Sequence, residues 1–311
     1  MIPTGLELAR YTLERQHPLT RTWVDDESRL QALAEVHEGV DVLLATDLDI
    51  AAGRVERFGP GRPAESMLNY WLPAGDELHA MFSMRFEGLD PTKPFVDATP
   101  MSRAPRTSDL PALAAVAREL YGTYSPRYLR LWSAEADLPG TQPDRRFFAA
   151  PITELQPRDV PAGLSLVRAR EVDHYDEAKR AYNAVDAAHP HHTQEASLQD
   201  RDDLAESAEA GLLFDVTVEG DWAGYVGGVI NPEDSLGLPA YVVHELVLAD
   251  KYRGRGYGRH LSALLAQALP DQTRILIGTI DAANHGARSA ALAAGRHDVG
   301  GWLQLSLGGE K

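Results

Sequence analysis

The chain has 311 residues, 44% hydrophobic and 24% charged, which is enough to bury ordinary cores. It is about twice the length of a typical single domain, so two domains are expected. There is no cysteine, which excludes disulfides, thiolate metal sites and a cysteine nucleophile, and a net charge of −16 argues against a general nucleic-acid binder, whose affinity comes mainly from phosphate neutralisation.

The opening MIPTGLELAR lacks a basic segment followed by an apolar one, and nowhere do about 18 apolar residues run together. The expectation is a soluble cytoplasmic protein with no membrane contact. Its first residues, IPTGLELAR, share a frame of Pro, Gly-Leu, Leu and Arg with VPAGLSLVR at residues 160–168. The two segments read either as domain-opening strands of an internal duplication or as a chance likeness. Residues 27–38 can form a helix on Leu30, Leu33, Ala34 and Val36, and VDVLLATDL after them can be a strand. Gly59, Pro60, Gly61 and Pro63 then break regular structure. Residues 66–72 and 77–86 flank PAGD as a hairpin, a proline-bearing stretch covers 90–111, LPALAAVARELYGTY reads as a helix and YLRLWSA as a strand. No alternating glycines stand between the 77–86 strand and that helix.

Four prolines and few apolar residues outside FFAAPI mark residues 143–162 as a linker, giving domains at 1–150 and 160–311. The second half reads as strand LSLVRA, a helix at 175–188 with Ala178, Ala181, Tyr182 and Val185 on one face, an acidic helix at 200–210, and strands LLFDVTV and AGYVGGVI around the turn EGDW. A β-prone run from Tyr241 to Leu248, interrupted by His244 and Glu245, then empties into Arg253, Gly254, Arg255, Gly256, Tyr257 and Gly258. Leu261, Leu264, Leu265 and Ala268 follow at helical spacing, and after them strand RILIGTI, a helix at about 284–294 and strand VGGWLQLSL. The order is β-α-α-β-β-β-α-β-α-β, an α/β (mixed α+β) class.

A strand, a cationic glycine loop and a helix together can cradle phosphate, because glycine geometry and a helix start both leave backbone N–H groups unpaired. The spacing G-x-G-x-G is not the dinucleotide fingerprint, and no Gly-Lys-Ser/Thr follows. The R-G-R-G-Y-G loop after LVLAD resembles the pyrophosphate loop of the GCN5-related N-acetyltransferase (GNAT) superfamily, Q/R-x-x-G-x-G/A, with Arg253, Gly256 and Gly258 on its defining positions. The resemblance covers residues 160–311 and implies the acyl-CoA N-acyltransferase fold there, with residues 1–150 either a degenerate second copy in a tandem pair or an unrelated α+β domain.

That resemblance also implies a function: transfer of an acetyl group from acetyl-CoA, as cosubstrate, to a primary amine of a small molecule. The backbone of Leu246, Val247 and Leu248 would hold the pantetheine arm, the loop 253–258 the diphosphate, and Asn284 and Arg288 would be further CoA contacts. Asn284 reads equally as a helix N-cap and Arg288 as a solvated residue. Glu245 is the candidate general base, since burial raises a carboxylate pKa toward neutrality, although pairing with an arginine or with substrate is the other reading. Strand alternation places His244 on the opposite face. The family's usual acid, a tyrosine, is replaced by Ala291, and its usual phenylalanine by Arg296. The alternative function is therefore a CoA-binding tandem protein with weak or lost catalysis. His189, His191 and His192 lack an acid or cysteine at matching spacing and read as a polar loop rather than a metal site. A monomer or homodimer with no nucleic-acid or metal partner is expected.

Overall fold

The computed structural model describes residues 1–156, 159–188, 196–230 and 236–308, which fold as two compact units. The first is Met1–Arg145 with Gly300–Lys311, the second Arg146–Val299. His189, His191 and His192 lie outside the described residues.

The first unit opens with a helix, not the expected strand. In α1 (Gly5–Glu14) the Thr4 hydroxyl accepts from the Glu7 amide while the Glu7 carboxylate accepts from the Thr4 amide at 2.9 Å, a reciprocal cap that fixes the first turn. Leu8, Ala9 and Leu13 are buried at helical spacing. The matching segment in the second half follows Gly163, which has φ +84°, and forms a strand. One sequence frame thus gives two structures, and it is no evidence of duplication.

After α2 (Asp26–His37) the segment VDVLLATDL is helical as well, through a π-turn at Glu38–Val42 and a short helix at Leu43–Thr46. Its buried residues Asp41 and Ala45 continue from the buried His37 of α2 at every fourth position, the period of a helix, and His37 and Asp41 pair at 2.7 Å. Helix α3 (Leu48–Phe58) leads to the predicted hairpin of β1 (Tyr70–Pro73) and β2 (His79–Phe86). A further strand, β3 (Pro94–Met101), stands where a proline-bearing loop was expected and pairs with β2 antiparallel. Helix α4 (Leu110–Tyr121) then returns the chain to β4 (Tyr128–Ser133), which runs parallel to β3. Phe82, Met84, Val96, Leu113 and Leu129 form the centre of this unit's core.

The second unit begins inside the stretch read as linker. Strand β5 (Gln142–Pro151) buries Phe147, Phe148, Ala149 and Ala150, so FFAAPI is a strand that outweighs the prolines around it. Then come β6 (Leu164–Arg168), α5 (Tyr175–Ala188), α6 (Arg201–Glu209), β7 (Leu213–Val218), β8 (Asp221–Val229), β9 (Ala240–Leu248), α7 (Gly258–Ala268), β10 (Ile275–Asp281) and α8 (His285–Ala293). The strand order is β5-β10-β9-β8-β7-β6, antiparallel except for β9 against β10 among the pairs with a defined register. The second half therefore has the predicted element order, with β5 added beside β10. The last strand, β11 (His297–Ser306), pairs antiparallel with β4 from Gly301 onward and falls in the first unit from Gly300.

Two cores flank the second sheet. On one face Leu261 and Leu265 of α7 pack with Val226, Tyr241 and Leu276. On the other Ala178 and Ala181 of α5 and Leu204 of α6 pack with Tyr225 and Val247. Each fully buried leucine contributes about 1.5–3 kcal/mol, and both faces of β9 are thereby fixed. Among the described residues no helix is long and apolar enough to cross a membrane.

Candidate functional site

Strand β9 is regular only for its first three residues on the β10 side. The parallel pairing runs Ala240–Ile275, Tyr241–Leu276 and Val242–Ile277, and no rung follows. Beyond it the edge of β9 from Val243 to Leu248 that faces β10 is unpaired. On the other edge β8 continues, but with a slip: Gly228 pairs with Val243 and Gly227 with Glu245, so His244 is an extra residue, a β-bulge.

The bulge decides which way Glu245 faces. Tyr241 and Val243 pack in the core under α7, and so do Leu246 and Leu248, whereas Val247 packs in the core under α5 and α6. One inserted residue reverses the parity, and Glu245 is delivered to the α5 side, where it would not lie in an unbroken strand. The same slip removes strict alternation as a reason to place His244 opposite Glu245. Its Nδ1 is buried without a partner. Glycine makes room at the slip, where a Cβ on Gly228 would meet the Val242 carbonyl at 3.0 Å; farther along β8 one on Gly224 would meet the Val247 carbonyl at 1.9 Å.

Glu245 is 2% exposed. Its Oε1 accepts from the Tyr182 hydroxyl at 2.8 Å and from the Leu246 amide at 3.0 Å, and its Oε2 accepts from the Gln199 amide at 3.3 Å. Desolvation is the largest influence and pushes its pKa up to about 7, against the lowering effect of these three donors. It makes no ion pair with an arginine among the described residues. A carboxylate half-ionised near neutrality can take up a proton and give it back. The tyrosine was visible in the sequence only as one apolar member of a helix face. Burial and the carboxylate together hold its hydroxyl above the ordinary range, so it stays a donor.

The glycine loop follows a short turn at Asp250–Tyr252. Gly254 has φ +70° and Gly256 φ +82°, conformations open to glycine, and a Cβ at either would point into empty space. Gly258 is the first residue of α7, and its Cβ would touch only the Ala290 Cβ at 3.7 Å. The backbone amides from Gly254 to Gly258 have no hydrogen-bond partner among the described residues, and α7 has no side-chain cap. These donors, with the positive end of α7, form an anion cradle. Arg255 is exposed beside it, while Arg253 is half-buried, donates from Nε to the Leu248 carbonyl at 2.7 Å and keeps Nη1 buried without a partner. Burial lowers its pKa.

The remaining candidates have structural partners. Asn284 caps α8, accepting from the Ala287 amide at 3.0 Å, and Arg288 donates from Nη1 to the Ala282 carbonyl at 2.8 Å, leaving its Nε buried and free. A cavity of about 490 Å³ lies at the end of β9 on the α5 side, lined by His174, Trp222, Asp250 and Lys251 among others. Among the described residues no group of histidine, aspartate and glutamate could hold a metal ion.

The model of the acetyltransferase (GNAT) family matches residues 173–295. Residues 173–295 belong to the GNAT family. The match spans α5 to the end of α8 and so contains Glu245, the bulge, the loop and the cap of α8. Among solved structures, the chain is similar to a GNAT acetyltransferase from Colwellia psychrerythraea (11% identity, TM-score 0.46, covering 73% of this chain and 85% of that one). It is also similar to a GCN5-related N-acetyltransferase from Sphaerobacter thermophilus (17%, 0.45, 86% and 91%). A tandem GNAT protein from the clavulanic acid biosynthesis pathway is a third (16%, 0.41, 88% and 97%). All three are distant likenesses. No curated protein matches the sequence.

The two departures from the family pattern, Ala291 inside the matched residues and Arg296 just past them, are both buried. Ala291 is 1% exposed and carries no acid, and Arg296 is 4% exposed, with its amide bonded to the Ala291 carbonyl at 3.0 Å.

Proposed function

We propose that the second unit transfers an acetyl group from acetyl-CoA to a primary amine of a small molecule by direct attack on the thioester. The observation that carries this reading is Glu245: a buried carboxylate with a pKa of about 7, turned by the bulge to one side of a strand whose far edge is open. The cradle at Gly254 to Gly258 would take the CoA diphosphate, with Arg255 adding charge. The open edge of β9 at Leu246, Val247 and Leu248 would pair with the pantetheine amides as a missing strand does. Asn284 and Arg288 act chiefly in holding α8, with the Arg288 Nε left for a phosphate or carbonyl oxygen.

The reaction follows from these parts. The amine nitrogen attacks the thioester carbon, a C–N bond forms and the C–S bond breaks. The proton lost by nitrogen passes to Glu245, directly or through a water, and Tyr182 steadies the carboxylate as its charge changes. Coenzyme A leaves as a thiolate, which is already a stable anion, and is protonated by water, so Ala291 in place of a tyrosine slows the step without forbidding it.

The first unit supports a tandem reading in its strand order: an antiparallel trio β1-β2-β3, then α4, then β4 parallel to β3, as β7-β8-β9, α7 and β10 stand in the second. It has no phosphate cradle, because SRAPRTSD joins β3 to α4 without a glycine. Its buried strand acid, Asp97, is paired with Arg130, whose guanidinium also lies 4.8 Å from the Phe95 ring centre. The first unit is accordingly proposed as a scaffold without chemistry of its own, and the protein as a cytoplasmic monomer or homodimer.

A second reading, CoA binding with weak or lost catalysis, is favoured by one observation, Ala291. Release of CoA thiol across a panel of amines decides between them. Turnover by the wild type that falls at least about 100-fold in Glu245→Gln supports acyl transfer with Glu245 as base. Acetyl-CoA binding without turnover on any amine supports the second reading, and equal turnover by the two proteins removes Glu245 from its role.

A further inference from the structure

Arg296 is the one strongly buried cation of the candidate site that no hydrogen bond or ion pair of the described residues satisfies. Its side chain is 4% exposed, its Nε is buried without a partner, and none of its guanidinium nitrogens contacts a carboxylate among the described residues. Burial pushes its pKa down to about 10, with no acidic group opposing the effect, and it stays charged at neutral pH. A buried charge without a partner is destabilising unless a counter-ion arrives. Its place in the fold says which ion that is.

The guanidinium stands over Gly278. A Cβ added to Gly278 would lie 3.0 Å from the Arg296 Nη1 and 3.1 Å from the Val243 Cβ, so glycine is what makes room for the cation there. Gly278 and Val243 are the residues just past the last rung between β10 and β9, Ile277–Val242. Arg296 therefore sits at the apex of the wedge where the two parallel strands part. From Val243 to Leu248 the strand rises roughly 16 Å, and the glycine loop begins beyond that. A diphosphate held by the loop is too far away to be the counter-ion. Val243 packs under α7, and Leu276, two residues before Gly278, does the same, which puts the cation on the α7 side of the sheet, opposite Glu245.

We propose that Arg296 recognises a carboxylate on the acyl chain of the donor, so that the preferred donor is a CoA thioester of a short dicarboxylic acid, with acetyl-CoA a poorer one. This rests on the acyl-CoA reading of the site: the thioester end occupies the wedge, the amine approaches from the Glu245 side, and the far end of a three- or four-carbon acyl group meets the guanidinium. A planar carboxylate matches the fork of Arg296, and the pair forms away from water, where a charge-assisted bond is strongest. The carboxylate takes no part in the bond changes, and the transfer itself is unaltered.

The test is calorimetric binding of CoA, acetyl-CoA, malonyl-CoA and succinyl-CoA to the full chain and to Arg296→Gln and Arg296→Lys, with each variant's melting profile recorded. The expected result is that malonyl- or succinyl-CoA binds at least about tenfold more tightly than acetyl-CoA to the wild type, that Arg296→Gln abolishes the difference while holding free CoA as before, and that Arg296→Lys restores part of it. Equal affinities in the wild type, or a preference that survives in Arg296→Gln, overturn the proposal. So does an equal loss on every thioester in Arg296→Gln, which would make Arg296 a stabiliser of the sulfur or the carbonyl oxygen. If instead Arg296→Gln raises KM for an amine bearing a carboxylate and leaves the donor ratio alone, the anion comes with the acceptor and the donor assignment is wrong. Failure of all four ligands, free CoA included, to bind the wild type refutes the acyl-CoA reading and this inference with it, whereas CoA and acetyl-CoA binding without a dicarboxylic preference refutes the inference alone.

Discussion

Replacing Glu245 with glutamine tests the buried carboxylate through stability and rate together. Because its folded pKa of about 7 lies above the ordinary 4.5, the folded protein binds this proton more tightly than the unfolded chain does. Between about pH 4.5 and pH 7 the unfolded state ionises while the folded state does not, so stability declines as pH rises through that window and levels off above it. The gap in pKa corresponds to about 3 kcal/mol at most. Glutamine removes this dependence but not the need for partners. Its carbonyl can keep the Tyr182 hydroxyl and the Leu246 amide, both on Oε1, whereas its NH₂ must then face the Gln199 amide, donor against donor, which costs about 1–2 kcal/mol. The variant is expected to be less stable than wild type at pH 4.5, by that mismatch, and to equal or exceed it at pH 8. Urea denaturation of both proteins at pH 4.5, 6 and 8 measures the crossing. On the kinetic side, wild-type kcat/KM is expected to rise with unit slope up to about pH 7 and then flatten, with the limb absent from the residual rate of Glu245→Gln. A constant stability difference from pH 4.5 to 8 would refute the raised pKa, whatever the rates did.

Three further perturbations address the parts around it. Tyr182→Phe removes the shortest donor to Glu245 and should move the rising limb of the pH–rate profile upward by on the order of one pH unit, while the same substitution at a tyrosine remote from Glu245, Tyr70, leaves the limb in place. In the loop, Gly254→Ala and Gly256→Ala should each weaken CoA binding by about tenfold through the strain of a positive φ, read by calorimetry, and Gly258→Ala, which has ordinary backbone geometry and an open contact, should not. Gly224→Ala places a methyl 1.9 Å from the Val247 carbonyl, so the pairing of β8 with β9 must shift; a loss of about 3 kcal/mol or more in denaturation is expected, and a loss below about 1 kcal/mol would mean that the strands are not packed this closely.

Legibility in the sequence followed the kind of signal that carried each element. The second unit was readable because its apolar runs alternate with turn residues at ordinary spacing, and because glycines that need a positive φ, Gly254 and Gly256, advertise a backbone task. Elements whose local pattern is ambiguous were misread. VDVLLATDL is apolar enough for a strand, yet its burial at Asp41 and Ala45, continuing from His37 before it, has the period of a helix, which appears only when the polar members are counted as inward-facing. Strand β3 was hidden by prolines at both ends, and β5 by the prolines around FFAAPI. In each case sheet partners far away in sequence overrode the local signal.

The site was half legible for a related reason. Glu245 could be named from the sequence as a buried acid, but naming it did not say which way it pointed. Simple alternation would put it under α7 with Tyr241 and Val243, against a packed wall of leucines and far from Tyr182. The inserted His244 reverses the parity, and the only sequence trace of it is the pair Gly227-Gly228 on the facing strand, an unusual place for two residues that weaken a sheet. The same slip leaves the wedge between β9 and β10 with the carboxylate on one side and Arg296 on the other. Carboxylate and guanidinium are thus separated by the sheet itself, each buried where the opposite charge does not quench it. If Glu245 and Arg296 shared a face they would form an ion pair, the carboxylate pKa would fall below its ordinary value, and neither group would be free to meet a substrate. Deleting His244 provides the corresponding check: it removes the residue without a rung and makes Val243 and Glu245 neighbours on alternating faces, so Glu245 should stay on the α5 side and the pH limb near 7 should persist in whatever activity remains.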